Sequence, residues 1–500
     1  MFSDPEPTKL PFNWIGRLEI IGMVSQIRMH IDPEYGTAIP LIQRTLEQLL
    51  EIQGWKSLSA GSVAGAHLIY GGPEHNCPGI CVPPSSWDEC DNQRTRTCGN
   101  VHLPAAAFDR DRVDWILAAA ILLGGYPERQ PGIEQHEGVP GKELHRWSLI
   151  DTPVVEEAAN QLADRIRNLP AVPKPQPRWP SGRRWAAVLS HDVDRIRRHR
   201  TGSFFADAAR SLQDRRYRAA CGQTLLALRS VPMEILTGRD PLMRSWDEFL
   251  EFEQKYQTGG TYFVATWSRR DPESDPRDVH YRFDDPQLIA QVRRMHQAGF
   301  DIGLHTSINA WRCGRYLEEF NRFEQAFGFV PSSHRGHYWS LNPRHSARTQ
   351  KEITAATGMT YCSTLGMNEV AGYRRGLCYP WRPFDHQTGE SAGVWEVPPI
   401  MMDQSLMLSA SDPTGWRKVF NERASQVRDW QGCFVLDWHT DMLAVPEYRE
   451  VTRAMLDSFA ELTRDPTCWT ASLTDVLNWC SRDRWTAEPI PTGSISTGPS

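Results

Sequence analysis

The sequence predicts an α/β protein: a barrel of parallel strands behind a smaller N-terminal α/β domain. Three observations carry that expectation. Beyond residue 181, short apolar runs alternate with amphipathic helical stretches, the pattern of βα units around a parallel sheet. The number of such runs suits a closed barrel better than a short open sheet. A stretch at 169–181, LPAVPKPQPRWPS, is proline-rich without apolar periodicity and reads as a stiff linker. The expected divisions are an N-terminal α/β accessory domain at 1–168, the linker at 169–181, the barrel at 182–485 and a disordered Pro/Gly/Ser/Thr-rich tail at 486–500.

The elements follow in chain order. Residues 40–54 set Leu41, Ile42, Leu46, Leu49 and Leu50 at helical spacing. Residues 66–70 read as a strand running into Gly71 and Gly72. Residues 109–123 read as a largely buried helix and 154–169 as another. After the linker, strands are expected at 185–190, 260–266, 300–305, 359–363, 394–397, 433–439 and 469–472. Helices are expected between several of them, at 286–298, 316–327 and 447–462.

Composition narrows the function. Lys+Arg 55 against Asp+Glu 61 leaves a net charge of −6, which argues against a general nucleic-acid binder. Hydrophobic content of 40% excludes disorder across the whole chain. The longest apolar run, 115–123, falls far short of the roughly 20 residues that cross a bilayer. No basic-then-apolar leader opens the chain, and an odd count of 11 cysteines suits reduced thiols, so a cytoplasmic location is expected. The 19 tryptophans hint at platforms for sugar rings, although large cores use tryptophan too.

Chemistry concentrates at strand ends. Ser190-His191-Asp192-Val193-Asp194 follows the apolar run WAAVL, and paired carboxylates there occupy the rim where barrel enzymes place catalytic groups. Buried carboxylates need a metal or an arginine nearby; the plainer alternative is a polar turn facing water. A second run ends in His305, with Asn309 four residues on, a spacing that would bring both to one side of a helical turn. His334-Arg335-Gly336-His337-Tyr338 and Asp437-Trp438-His439 are the third and fourth such features. Each alone reads as a structural histidine or turn; four in order along one barrel do not.

In that order, with HDVD, GLHTSIN, SHRGHYW, then STLG and AGYRRGLCYPWRPFD, then LDWH, the chain resembles the polysaccharide deacetylase superfamily. The likeness is to the branch with a His-Asp-x-Asp first motif and an additional N-terminal domain, and it spans 185 to about 479. LIYGG, the helix near 115–125 and SLIDTPVVEEAANQL are similar to the domain that precedes the barrel in that branch. The resemblance implies an irregular (β/α)7-type deacetylase barrel. It also implies metal-dependent removal of an N-acyl group, usually acetyl, from an amino-sugar polymer or a lipid- or nucleotide-linked precursor. Carried over by motif, Asp192 is the general base, Asp194 and His305 bind the metal, and His439 is the general acid. Arg335 pairs with Asp192 and keeps it ionised, a backbone N–H near Tyr338 completes an oxyanion site, and a carboxylate such as Asp437 raises the pKa of His439. The expected cofactor is a divalent metal, zinc first among them. Gly372, Arg374 and Gly376 match a loop motif without assigned chemistry.

Two departures from that pattern matter. Asn309 stands where the superfamily has its second motif histidine, and His337 stands where it has proline. Imidazole is the better zinc ligand, so His337 is the expected third ligand and Asn309 its competitor.

Other features carry less. Cys77, Cys81, Cys90 and Cys98, near His75 and His102, offer only one pair at zinc-site spacing and read as scattered thiols. Arg183, Arg184, Arg195, Arg197, Arg198 and Arg200 form a basic flank, a solvated face or a contact for an anionic glycan or sugar phosphate. Asp403 follows EVPPIMM, could end another strand and could face the site. Two rival functions remain: a glycosyltransferase holding a metal and diphosphate on Asp192 and Asp194, and a non-catalytic barrel that binds glycan or scaffolds its assembly. No nucleic-acid partner and no membrane span are expected.

Overall fold

The computed structural model describes residues 26–31, 39–59, 68–70, 95–98, 101–104, 108–109, 112–129, 148–167, 174–197, 240–342 and 345–482, with a few isolated positions besides. Gly71, Gly72, His75, Cys77, Cys81, Cys90, Arg198, Arg200, the first part of the linker and the tail at 486–500 lie outside the described residues. So do the side chains of Cys98 and His102.

In the N-terminal part, β1 (Gln26–Ile31) lies between β2 (Lys56–Ser59) and β3 (Leu68–Tyr70), both parallel to it. The helix Ile39–Ile52 crosses from β1 to β2 and buries the leucines its spacing predicts. Two antiparallel pairs follow: β4 (Thr95–Cys98) with β5 (Val101–Pro104), and β6 (Phe108–Asp109) with β7 (Arg112–Val113). The second pair takes residues expected in a helix, so that helix spans Trp115–Leu123 instead. Asp114 sets its start, its carboxylate accepting from the backbone N–H of Ile116 and Leu117, 3.0 Å each.

The barrel strands are β8 (Trp185–Val193), β9 (Thr261–Ala265), β10 (Asp301–Thr306), β11 (His334–Gly336), β12 (Tyr361–Cys362), β13 (Trp395–Glu396), β14 (Met401–Met402), β15 (Cys433–Asp437) and β16 (Cys468–Thr470). They form one parallel sheet in the order β13-β12-β11-β10-β9-β8-β15-β14, which follows the chain around a curl open between β13 and β14. β16 joins the edge of β8 at Trp185–Ala187, and β9 takes the same edge further along. The seven expected strands are present. β14 ends directly before Asp403, where the EVPPIMM run suggested another strand, and β11, only three residues long, is not among the expected strands.

β8 is longer than the apolar run suggested. Ser190–Val193 pair with β9, so the HDVD residues through Val193 belong to the strand rather than to a turn after it. Period-two alternation then divides them. Ser190 and Asp192 meet Arg335 on one face, while His191 on the other meets Glu253 of the helix Pro241–Tyr256 at 3.0 Å.

The two parts of the chain are joined by buried polar contacts. Glu128, just after the helix Trp115–Leu123, pairs with Arg374 at 3.2 Å and with Arg375 at 2.8 Å, all three nearly inaccessible to solvent. Gly125 makes room for this, since a Cβ there would lie 1.9 Å from the Arg375 guanidinium. The AGYRRG loop therefore docks the N-terminal part against the barrel. The second part of the linker is packed as well. Gln176 donates its N–H to the Gly54 carbonyl, and the fully buried Trp179 donates to the carbonyl of Gln431.

Candidate active site

Arg335 organises the strand ends. Its guanidinium is fully buried and donates to Asp192 (3.0 Å), Asp437 (2.7 Å), Ser190 Oγ (2.8 Å) and both oxygens of Ser363 (2.7 and 3.0 Å). Phe263 lies under it at 4.2 Å. Gly303 is required beside that ring: a Cβ would come within 2.6 Å of it. A buried guanidinium is costly without partners, and this one has carboxylates from two strands.

Register carries the remaining groups to the same end. His305 on β10 lies opposite Arg335 on β11, and its Nδ1 donates to the Arg335 carbonyl at 3.1 Å. That bond leaves Nε2 as a lone pair. Nε2 lies 3.4 Å from Asp194 and 3.5 Å from Asp192, and neither it nor Asp194 Oδ1 has a hydrogen-bond partner. Two electron-rich buried atoms face each other there, an arrangement that calls for a cation. The other carboxylate oxygen of Asp194 faces His337 Nε2 at 3.2 Å and His439 Nε2 at 3.3 Å. Donor atoms of Asp194, His305 and His337 all lie within 4.8 Å of one another. Ligands on a tetrahedral zinc stand about 3.3–3.5 Å apart, from bond lengths near ~2.0–2.1 Å. The donor set and its spacing thus fit a divalent ion such as zinc.

Electrostatics follows from the carboxylates. Burial raises the pKa of Asp192, but His305, Arg335 and His439 outweigh it and hold the group below the usual carboxylate range. Asp194 is likewise held well below that range, burial being outweighed chiefly by the charge of His337, with His305 and His439 also close to it. Burial alone would lower His337, yet Asp194 and Asp278 push it up to about 10. His439 is raised well above the usual imidazole range, burial being overcome chiefly by Asp403. Burial, together with the nearby charge of Asp192, pushes Asp437 well above the carboxylate range.

The site residues named from sequence meet here with one exception. Asp192, Asp194, His305, Arg335, His337 and His439 converge. Asn309 does not: its amide donates to the Glu273 carbonyl at 3.2 Å, because the chain turns into the short helix Ala310–Cys313 and directs that side chain to the neighbouring loop. The carboxylate that acts on His439 is Asp403 rather than Asp437. Asp403 accepts from both Nδ1 (2.7 Å) and the backbone N–H (2.9 Å) of His439, while Asp437 is taken up by Arg335. Sequence reasoning missed Asp278, which faces His337 Nδ1 at 3.4 Å and accepts from the N–H of Ile308. It lies in a loop of ordinary Asp/Pro/Arg composition with no pattern to single it out. Tyr338 lines the pocket with φ +54°, a backbone conformation that side chains rarely adopt and that clusters at binding sites.

The pocket above these groups has a volume of about 350 Å³, with Trp339, Met402, Met442 and Tyr448 among its walls. Apolar walls around a few converging polar groups are the usual make-up of a small-molecule site.

No family model and no curated protein match this chain. Among solved structures it is similar to a protein assigned as a polysaccharide deacetylase from Mycobacterium smegmatis, at 17% identity over 63% of this chain and 97% of that one, with a TM-score of 0.40. A Pseudomonas aeruginosa protein assigned to the same class is similar at 10% identity over 63% and 96% of the chains, TM-score 0.40. An allantoinase is similar at 12% identity over 61% and 93%, TM-score 0.38.

Proposed function

We propose that this chain is a metal-dependent hydrolase that removes an N-acyl group, acetyl in the first instance, from an amino sugar in a polymer or in its precursor. The observation that carries the reading is the unpartnered pair His305 Nε2 and Asp194 Oδ1, with a base and an acid on either hand. The resemblance of the five motifs supports the choice of substrate. Asp194, His305 and His337 would hold the metal, which when bound polarises an acyl carbonyl and lowers the pKa of water.

The protein's own groups supply the rest. Asp192, kept ionised by Arg335, takes the proton of the water that attacks the acyl carbon. His439 stays protonated because Asp403 holds its Nδ1–H, which leaves Nε2–H facing the pocket. That proton passes to the amide nitrogen as the C–N bond breaks, releasing the carboxylic acid and the free amino sugar. Asp278 opposite His337 Nδ1 fixes that ring as a carboxylate behind a ligating histidine does.

The test is elemental analysis joined to an acetate-release assay on N-acetylated oligosaccharides and on nucleotide- and lipid-linked N-acetylhexosamines. The expected result is one divalent ion per chain, lost in Asp194→Ala and His305→Ala, and acetate released from at least one substrate class. An unchanged metal content in both variants would overturn the assignment.

A further inference from the structure

We infer that the substrate carries an oxyanion beside its acylated sugar, and that a groove next to the catalytic pocket, lined by Arg195, Arg197, Arg270 and Arg282, receives it; this rests on the hydrolase reading of the pocket. The groove has a volume of about 500 Å³, and Arg195 lines both it and the pocket. The wall between them is the end of β8. Tyr281 at the base of the groove donates its hydroxyl to the Val193 carbonyl at 2.6 Å, one residue before Asp194. A molecule seated over Asp194 therefore extends into this groove over a single residue of backbone.

Charge is divided between the two cavities. The catalytic pocket is lined by Asp192, Asp194, Asp403, Asp437 and Asp441. The groove has four guanidinium groups and two carboxylates, and both carboxylates are already engaged. Asp284 takes Arg282 at 2.6 Å, while Asp285 takes Arg197 at 3.1 Å and caps the helix Pro286–Gln297. Arg195 reaches Asp441 only at 3.6 Å from a side chain 60% exposed. Arg270 is exposed, and among the described residues its guanidinium meets no acceptor. Among these residues Arg270 thus remains without a partner and Arg195 is only loosely paired, so both can turn to a ligand. A neutral glycan gives them no partner. Phosphate or carboxylate oxygens do, in the forked geometry guanidinium favours. The groove's size and its neighbouring guanidinium groups suit a diphosphate, as in a nucleotide- or lipid-linked sugar, and the same chemistry would serve a uronate of a polymer.

The test is calorimetry on the full chain with sodium pyrophosphate and, separately, with a glucuronate oligosaccharide, using the parent, Arg270→Ala and Arg270→Glu. Binding of pyrophosphate that weakens with salt, falls about 10-fold in Arg270→Ala and falls further in Arg270→Glu is the expected result. Preference for the uronate with the same ranking of variants assigns the groove to a polymer carboxylate and supports the proposal. If neither probe binds the parent, or both bind Arg270→Glu as tightly as the parent, the groove is no anion site. Calorimetry needs no turnover, so a protein that releases no acetate yet loses pyrophosphate binding in these variants would refute the hydrolase and keep the groove.

Discussion

His337→Ala removes one of the three donors that face a common point, and the structure sets the size of the effect. His337 Nε2 stands 3.2 Å from Asp194 and its ring is braced by Asp278. Changes to groups behind a metal ligand cost about 10–100-fold in affinity, so loss of a ligand itself should cost at least about 100-fold. At zinc fixed at ~100 times the parent dissociation constant, binding stabilises the parent by about 2.7 kcal/mol; a variant 100-fold weaker gains only about 0.4 kcal/mol. The difference, about 2.3 kcal/mol, corresponds to about 4 °C in the midpoint of a cooperative unit of ~300 residues. The assay is thermal unfolding with and without zinc, paired with chelator competition for the affinity itself. Asn309→Ala is the control: its amide serves a loop carbonyl, and the zinc-induced shift should persist. A parent-like shift in His337→Ala, or its loss in Asn309→Ala, would refute the ligand assignment.

Asp192→Asn and His439→Ala should each lower kcat by about 10²–10⁴-fold while metal content holds, checked by steady-state rates beside elemental analysis; loss of metal in either would make it a ligand instead. Asp403→Asn removes the anion that most raises His439, so the basic limb of the rate–pH profile should move to lower pH; a limb that stays in place would detach Asp403 from the acid. Glu156 is buried where the helix Val154–Arg167 meets the Cys378 backbone, and burial lifts its pKa from 4.5 to about 7. The folded form holds the proton more tightly, so this contribution is complete below about pH 4.5 and is lost as pH rises through 7. Glu156→Gln should therefore gain about 2.5 kcal/mol on the parent between pH 5 and pH 8, measured by denaturant titration at both; an equal offset at both pH values would contradict the shift.

The sequence by itself determined the barrel and six of the residues whose side chains converge. Apolar runs of period two and helices of period 3.6 are local signals, and motifs at strand ends inherit their position from the strands that hold them. The same local reading fixed neither the length of β8 nor the brief β11, because pairing with a neighbouring strand extends or creates a strand where hydrophobicity shows none. Tertiary structure alone decided which carboxylate serves which base. Asp437 lies inside the LDWH motif and Asp403 lies 36 residues before His439, yet Arg335 claims the nearer carboxylate and His439 the more distant one. It alone brought Asp278 behind His337, across 59 residues of chain. It also turned Asn309 away, and it gave Arg374 and Arg375 their purpose in holding Glu128. Such pairings are long-range, and their energies depend on burial and distance, neither of which is written in the order of residues.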